Sequence, residues 1–451
     1  MATTAPARKL GAGARRWLGW VPAGVALLAT VALLAGYGVP ARDLAAFAAY
    51  LLLAIALPGT LLWRAGRGRP GLLPADVAAG TAVGYAVEVL AYVAARAAGA
   101  PRLALLAPVA VLVAFATAPR LRRHWRGSGR RVPTGWAWAV AGAVLFAVAH
   151  GAVTFFRGHG LAPPGNAAPY VDLPFHLALA GELKHHVPPV IPYVAGEPLR
   201  YHWFVYADLA ATSWATGIEL QTLLYRLSLP PMLAASLVGV AALGRALSAR
   251  WWVGPVAVLT TLVWSVPTPY AWLATAGYDG EVLRTVWLSP TQTFGAALFA
   301  ATVLALLDLL RDGSGGARPW ALFVLLLVAL TGAKATYVPL LLAGCGLVLL
   351  GHGWSARRVH RPALLAFALS GAALAFAQAV LFAGATTGLG LAPLAAATQT
   401  PLAATTGLAG GRGLALAAAV VVCLVGWAGL WAGAARRVGR GGSADRADPA
   451  V

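Results

Sequence analysis

Residues 135–156, GWAWAVAGAVLFAVAHGAVTFF, carry no charged side chain, whereas residues 170–203, YVDLPFHLALAGELKHHVPPVIPYVAGEPLRYHW, are rich in charge and histidine. A helix needs about 20 mostly apolar residues to cross a bilayer, and the first segment has that length. The region from residue 150 to residue 202 holds six of the nine histidines of the chain. We therefore predict a membrane span followed closely by a long polar loop.

The whole composition is that of a polytopic membrane protein. Of the 451 residues, 60% are hydrophobic and 11% charged, and the mean hydropathy is +0.74. The net charge of +20 comes from arginines in short clusters between apolar runs, so we expect no nucleic-acid binding. Cys345 and Cys423 both lie inside apolar runs, which excludes a disulfide framework and a cysteine metal site.

The apolar runs predict an all-α transmembrane bundle of about twelve spans. The expected spans are residues 19–38, 43–63, 74–98, 102–118, 135–156, 226–248, 251–273, 289–310, 319–333, 335–351, 362–386 and 411–434. We divide the chain into a four-span N-terminal region (1–134), a membrane core (135–434) and a disordered cytoplasmic tail (435–451).

Arginine placement predicts the orientation, because positive loops are retained on the cytoplasmic side. This rule places the protein in the plasma membrane with both termini cytoplasmic and the loop 157–225 outside. The apolar segment 201–217 then begins and ends outside, so we predict a short helix on the outer surface, with its aromatic side chains at the interface. The alternative is a thirteenth span, which would place Arg245 and Arg250 outside. The arginine clusters are Arg15/Arg16, Arg64/Arg67/Arg69, Arg120/Arg122/Arg123, Arg245/Arg250, Arg311/Arg318, Arg357/Arg358/Arg361 and Arg436/Arg437/Arg440.

The candidate chemistry is concentrated on the predicted outer side, where seven of the fourteen acids fall. Asp172 and His176 are four residues apart and share one face of a helix that Pro174 predicts to begin near Leu173. Asp172 suits two roles, the N-cap of this helix and a base at the mouth of an outer cavity.

Other charged residues of the outer segments have a structural and a functional interpretation. Lys184, His185 and His186 complement the dipole at the end of the same helix, or hold a lipid phosphate. Asp279, Glu281 and Arg284 form a solvated loop, or converge with Lys334, which is predicted near the outer face, to bind an acceptor hydroxyl and a leaving phosphate. The histidines show no metal-ligand spacing, so a divalent metal is not supported and the cofactor is left unknown.

Several motifs in this order resemble the GT-C superfamily of membrane glycosyltransferases. They are DLPFH with Asp172 and His176, the Pro188–Trp203 segment that leads into the predicted surface helix, LSPTQTFGAAL at 288–298, and TGAKATY with Lys334. The resemblance covers roughly residues 135 to 351. Many members have a second acid directly after the first, where this chain has Leu173, and this difference argues against a metal-dependent version.

The resemblance implies an enzyme that transfers a sugar from a polyprenyl-phosphate lipid to an envelope glycan, lipid or protein on the outer side, in contact with membrane lipids. It gives Asp172 the role of general base with His176 beside it, and gives Lys334 and Arg284 the donor phosphate. Residues expected to bind substrate with them are Glu281, Asp279, Arg200 and His202. The competing functions are a transporter or flippase of a lipid-linked or anionic substrate, whose acids would be Glu88 and Asp308, and a non-catalytic membrane subunit.

Overall fold

The computed structural model describes residues 19–162, 170–263, 281–312, 316–385 and 421, and within these residues it is all-helical apart from one isolated β-bridge between Val190 and Pro198. The principal helices are α1 (Val21–Gly36), α2 (Ala41–Arg67), α3 (Leu73–Ala97), α4 (Pro101–Thr117), α5 (Thr134–Phe156), α6 (Leu173–His185), α7 (Phe204–Thr216), α8 (Leu220–Ser248), α9 (Val253–Val263), α10 (Glu281–Leu288), α11 (Pro290–Asp312), α12 (Ala317–Ala333), α13 (Tyr337–Ala356) and α14 (Arg361–Leu381).

Seven of the described helices are long and apolar enough to cross a membrane: α2, α3, α5, α8, α11, α13 and α14. An eighth candidate is α4, taken together with the segment Pro119–Trp125 that follows a 95° bend. Helices α1, α9 and α12 are apolar but shorter. A helix therefore overlaps each of the first eleven predicted spans, but the count of about twelve is not confirmed, and 411–434 lies outside the described residues except for Val421.

The exposed surface of these helices carries large apolar side chains, as a lipid-facing surface does. Leu28 is 70% exposed, Val153 63% and Leu350 73%. Such a surface is unfavourable in water and favourable in hydrocarbon. The structure thus supports the prediction of a membrane protein through the length of its helices and the character of their outer faces.

Helix α3 lies at the centre of the bundle and packs against α2, α7, α8, α11 and α12. Gly80 and Gly84 lie four residues apart on the face toward α2, and a Cβ at either position would overlap the backbone of α2 at Thr60 or Ile55. Two small residues at this spacing let helix backbones touch, which is a common way to pack helices in membranes. The close contact of α2 and α3 follows from these glycines.

Ion pairs join the C-terminal end of α2 to its neighbours. Arg64 Nε donates to Asp76 Oδ2 at 2.8 Å, and both side chains are almost completely buried. Arg67 and Arg69 pair with Asp308 of α11. Asp308 was a candidate transport acid, but its partners give it a structural role at the end of the bundle.

The prediction of a surface helix at 201–217 is wrong. Helix α7 is buried along its length from Phe204 to Ser213 and packs against α2, α3, α6, α11 and α12. Small residues such as Ala207 and Ala210 permit this close packing, and Asp208 meets another carboxyl inside the bundle. The aromatic side chains that suggested an interface instead fill the interior.

Candidate functional site

The first part of the site is the start of α6. The helix begins at Leu173 as predicted, with Pro174 in its first turn, and Asp172 occupies the N-cap position without accepting a capping hydrogen bond. The Asp172 side chain is exposed and hydrogen-bonds with Tyr170, which raises the pKa of that phenol. The carboxylate is therefore not used as a helix cap and is accessible to a substrate.

His176 is held by two hydrogen bonds that fix its tautomer. Its Nε2 lies 3.3 Å from the carbonyl oxygen of Leu288, which only accepts, so Nε2 carries the proton. Its Nδ1 then accepts a 2.7 Å hydrogen bond from the Tyr206 hydroxyl. Burial lowers the pKa of His176, an effect that the charge of Asp172 opposes and that of Lys334 reinforces. The ring is thus a neutral, oriented group one helical turn after Asp172.

His202 is a second buried imidazole in this cluster. It stacks on Tyr201 with 3.8 Å between ring centroids and is 5% exposed. Burial, with a smaller effect of Lys334 and His176, lowers the pKa of His202 to about 3. Neither ring nitrogen has a hydrogen-bond partner within the part of the chain that the structure describes. A buried polar ring without partners is costly, and a bound hydroxyl group would satisfy it.

Lys334 enters the cluster from the break between α12 and α13, where the sequence predicted two separate helices. Its Nζ lies 3.4 Å from the Thr291 hydroxyl at the start of α11, and burial lowers the pKa of the ammonium group. Within the described ranges no carboxylate forms an ion pair with it. The lysine is packed closely, since a Cβ on Gly295 would meet both the Tyr337 ring and the Lys334 side chain.

Tyrosine and threonine hydroxyls connect these groups. The Tyr201 hydroxyl interacts with those of Tyr206 and Thr291, and the charge of Asp172 acts on it; burial is the main cause of its raised pKa. The ring of Phe175 also contacts Tyr201. The site is a polar cluster built from the start of α6, the segment before α7, the start of α11 and the α12–α13 break.

The structure brings together four of the predicted site residues: Asp172, His176, His202 and Lys334. Arg284 is exposed on α10, and its charge partly opposes the rise that Asp172 causes in the pKa of Tyr170. Arg200 is exposed two residues before His202.

The side chains of two predicted acids are not among those that the structure describes. Glu281 is the first residue of α10, and Asp279 lies outside the described residues. Among the described residues no group of three His, Cys, Asp or Glu side chains is arranged to hold a metal.

Sequence analysis missed three members of the cluster: Tyr201, Tyr206 and Thr291. The two tyrosines were assigned to an interfacial aromatic belt because a ring with a polar edge suits both that position and a buried hydrogen bond. Thr291 lies in LSPTQTFGAAL, which drew attention as a segment without indicating this residue. The aromatic run lies next to His202, and this position is a better indication that its tyrosines belong to the site.

A separate cationic cavity of about 540 Å³ lies where α3 and α6 end, with Arg96, His185 and His186 in its wall. Arg96 Nη2 donates to the His185 carbonyl, and His186 Nδ1 lies 3.1 Å from Glu182. Lys184 donates to Ser213 at 2.9 Å and lies over the Trp214 ring, so it joins α6 to α7. These contacts favour the structural interpretation for Lys184.

The chain matches no protein-family model, and comparison with curated proteins and with solved structures likewise finds no match.

Proposed function

We propose that the chain is a membrane glycosyltransferase of the GT-C type, which transfers a sugar from a polyprenyl-phosphate donor to an acceptor on the outer face of the membrane. The observation that carries this proposal is the meeting of an exposed carboxylate, Asp172, with the cation of Lys334 around two neutral imidazoles. These are the groups that a glycosyl transfer from a phosphate donor needs: a base, a phosphate partner and hydroxyl ligands.

In the proposed reaction Asp172 accepts the proton of the acceptor hydroxyl as that oxygen attacks the anomeric carbon. The bond from that carbon to the phosphate oxygen breaks, and the polyprenyl phosphate leaves with the electron pair. Lys334 stabilises the charge that develops on this leaving group, because a cation acts more strongly where burial lowers the dielectric. Arg284, near Tyr170, is a second candidate for this role.

The imidazoles would orient the sugar and the acceptor. His202 has two ring nitrogens without protein partners, which suits one donated and one accepted hydrogen bond to sugar hydroxyls. His176 uses both nitrogens in protein contacts, so we assign it to positioning of the site beside Asp172.

The test compares Asp172→Asn with Glu197→Gln, which changes an exposed acid of the same segment. Membranes containing each variant are supplied with polyprenyl-phosphate sugars, and glycan transfer is followed. General-base catalysis contributes about 10²–10⁴-fold, so we expect D172N to lose activity by that factor and E197Q to keep it. Undiminished transfer by a folded D172N protein would remove Asp172 from its role.

A second candidate, a transporter of an anionic or lipid-linked substrate, is favoured by one observation: Glu88 of α3 and Asp208 of α7 are buried together inside the bundle. Buried acids in membrane helices often serve ion-coupled transport. Reconstituted vesicles distinguish the two functions, since a transporter moves its substrate across the bilayer without forming a glycosidic bond.

A further inference from the structure

Two acidic side chains meet inside the bundle, away from the candidate site. Glu88 on α3 is 5% exposed and Asp208 on α7 is 1% exposed, and the two carboxyl groups interact directly. Among the described residues neither forms an ion pair with a lysine, arginine or histidine. Two buried carboxylates side by side repel each other and lack the hydration that stabilises charge.

Some of the oxygens around the pair have a hydrogen-bond partner among the described residues and others do not. The Tyr50 hydroxyl of α2 donates to Glu88 Oε1. Three further oxygens are fully buried and have no hydrogen-bond partner within the described part of the chain: Glu88 Oε2, Asp208 Oδ1 and the Tyr85 hydroxyl. Tyr85 is 1% exposed, and both acids act electrostatically on it, so its unpartnered hydroxyl faces the same place.

The remaining neighbours supply no compensating charge to the pair. Thr212, one turn after Asp208, faces Tyr50. Two cations on helices packed against α7, Lys184 of α6 and Arg102 of α4, both lie over Trp214, about 9 Å further along the helix. The positive charge of Lys334 acts instead on His176 and His202 of the candidate site.

Binding of a single proton relieves both the charge repulsion and the lack of hydrogen bonds. When one carboxyl is protonated it donates to the other, which satisfies two of the unpartnered oxygens and leaves one negative charge instead of two. A hard metal cation is a poorer fit, because Ca²⁺ or Mg²⁺ takes about six or more oxygens and only three oxygens of this group lack a hydrogen-bond partner among the described residues.

We propose that Glu88 and Asp208 form a proton-binding pair, which holds one exchangeable proton between its carboxyl groups and joins α7 to α3. Loss of the proton places two negative charges against each other at this contact and weakens it. Burial and the neighbouring carboxyl both disfavour a second negative charge, so the pair keeps its proton above the pH at which an exposed carboxyl group loses it. Asp208 lies two residues after Tyr206 on α7. A change in the contact between α7 and α3 therefore also changes the position of the Tyr206 hydroxyl that donates to His176.

The experiment uses the full chain in lipid nanodiscs and infrared spectroscopy of the carboxyl C=O stretch as the pH is varied. We expect a protonated-carboxyl band that persists above the pH at which exposed carboxyl groups ionise and disappears as the pH is raised further. Asp208→Asn and Glu88→Gln should each shift the pH at which this band disappears, and the E88Q/D208N double variant should remove the band. The control, Asp43→Asn, changes an acid of α2 that pairs with the exposed Arg42, and should leave it unchanged.

Thermal unfolding gives a second measurement that needs no spectral assignment. If the folded pair keeps a proton that the unfolded chain has already lost, stability falls as the pH rises above about 4, because the folded protein then binds more protons than the unfolded chain. The unfolding midpoint should therefore drop over this range in the wild type and in D43N, and drop less in the E88Q/D208N double variant.

Three outcomes would overturn the proposal. The first is a wild-type infrared spectrum without a titrating carboxyl band. The second is a titrating band that is unchanged in the E88Q/D208N double variant. The third is a midpoint that rises with Na⁺ at fixed pH and ionic strength in the wild type but not in the double variant, which would assign the pair to a metal cation instead.

Discussion

Removal of the Tyr206 hydroxyl tests whether α7 controls the candidate site. The hydroxyl donates to His176 Nδ1 at 2.7 Å, and both side chains are almost completely buried. Tyr206→Phe leaves Nδ1 as a buried acceptor without a partner, which costs about 1–3 kcal/mol of folding free energy. It also removes a hydrogen bond that only the unprotonated nitrogen accepts, so we expect the pKa of His176 to rise.

The matched control is Tyr92→Phe. Tyr92 is also fully buried, and its hydroxyl donates to the Leu183 carbonyl at 2.9 Å, near the other end of α6. This variant loses a comparable hydrogen bond between α6 and a neighbouring helix without touching the cluster. We expect a similar loss of stability in both variants and a change of His176 in Y206F alone.

The assay is ¹⁵N NMR of histidine-labelled protein across a pH series, with the His176 signals identified by their absence in His176→Gln. Wild type and Y92F should show the Nε2-protonated neutral tautomer, and Y206F should show a mixture of tautomers and a higher pKa. Glycan transfer should fall in Y206F and persist in Y92F. Identical His176 signals in Y206F and wild type would refute the proposed hydrogen-bond network.

Three further predictions concern pH and packing. Burial lowers the pKa of His202 from 6.5 to about 3, so the unfolded chain binds a proton at a higher pH than the folded protein does. Stability is therefore lost as the pH falls from 6.5 to about 3. His202→Gln should make the fall in the thermal unfolding midpoint over this interval shallower. Arg64→Met leaves the Asp76 carboxylate buried without its closest partner and should cost about 3–5 kcal/mol in denaturant unfolding, whereas R64M/D76N should recover part of this loss. A methyl group at Gly295 overlaps the neighbouring aromatic ring, so Gly295→Ala should cost about 1–3 kcal/mol, whereas Gly344→Ala, which faces open space, should leave the melting temperature nearly unchanged.

Local sequence patterns predicted much of the helix layout. The start of α6 follows from Pro174, and the break around Lys334 follows from the high cost of a lysine inside an apolar helix. The placement of 201–217 failed because its aromatic residues favour an interface and a packed interior alike. Sequence also left Asp172 with two roles, and the absence of a side-chain cap leaves its carboxylate available.

Only part of the candidate site could be predicted, again because the local sequence does not show which side chains meet. Asp172, His176, His202 and Lys334 are polar residues in apolar surroundings, and each stands out in the sequence without reference to any other. Tyr206 does not stand out, because a tyrosine in an aromatic run is ordinary until its hydroxyl is seen against an imidazole.

The sequence by itself determined that this protein is a bundle of apolar helices, because a run of about 20 apolar residues is stable only where hydrocarbon surrounds it and its backbone hydrogen bonds are made internally. Only the tertiary structure decided that α7 is buried, that Glu88 meets Asp208, and that Tyr206 orients His176. These contacts join residues far apart in the chain. Nothing in the local composition records which helix faces meet, because packing between helices depends on shape and on pairing of the few buried polar groups.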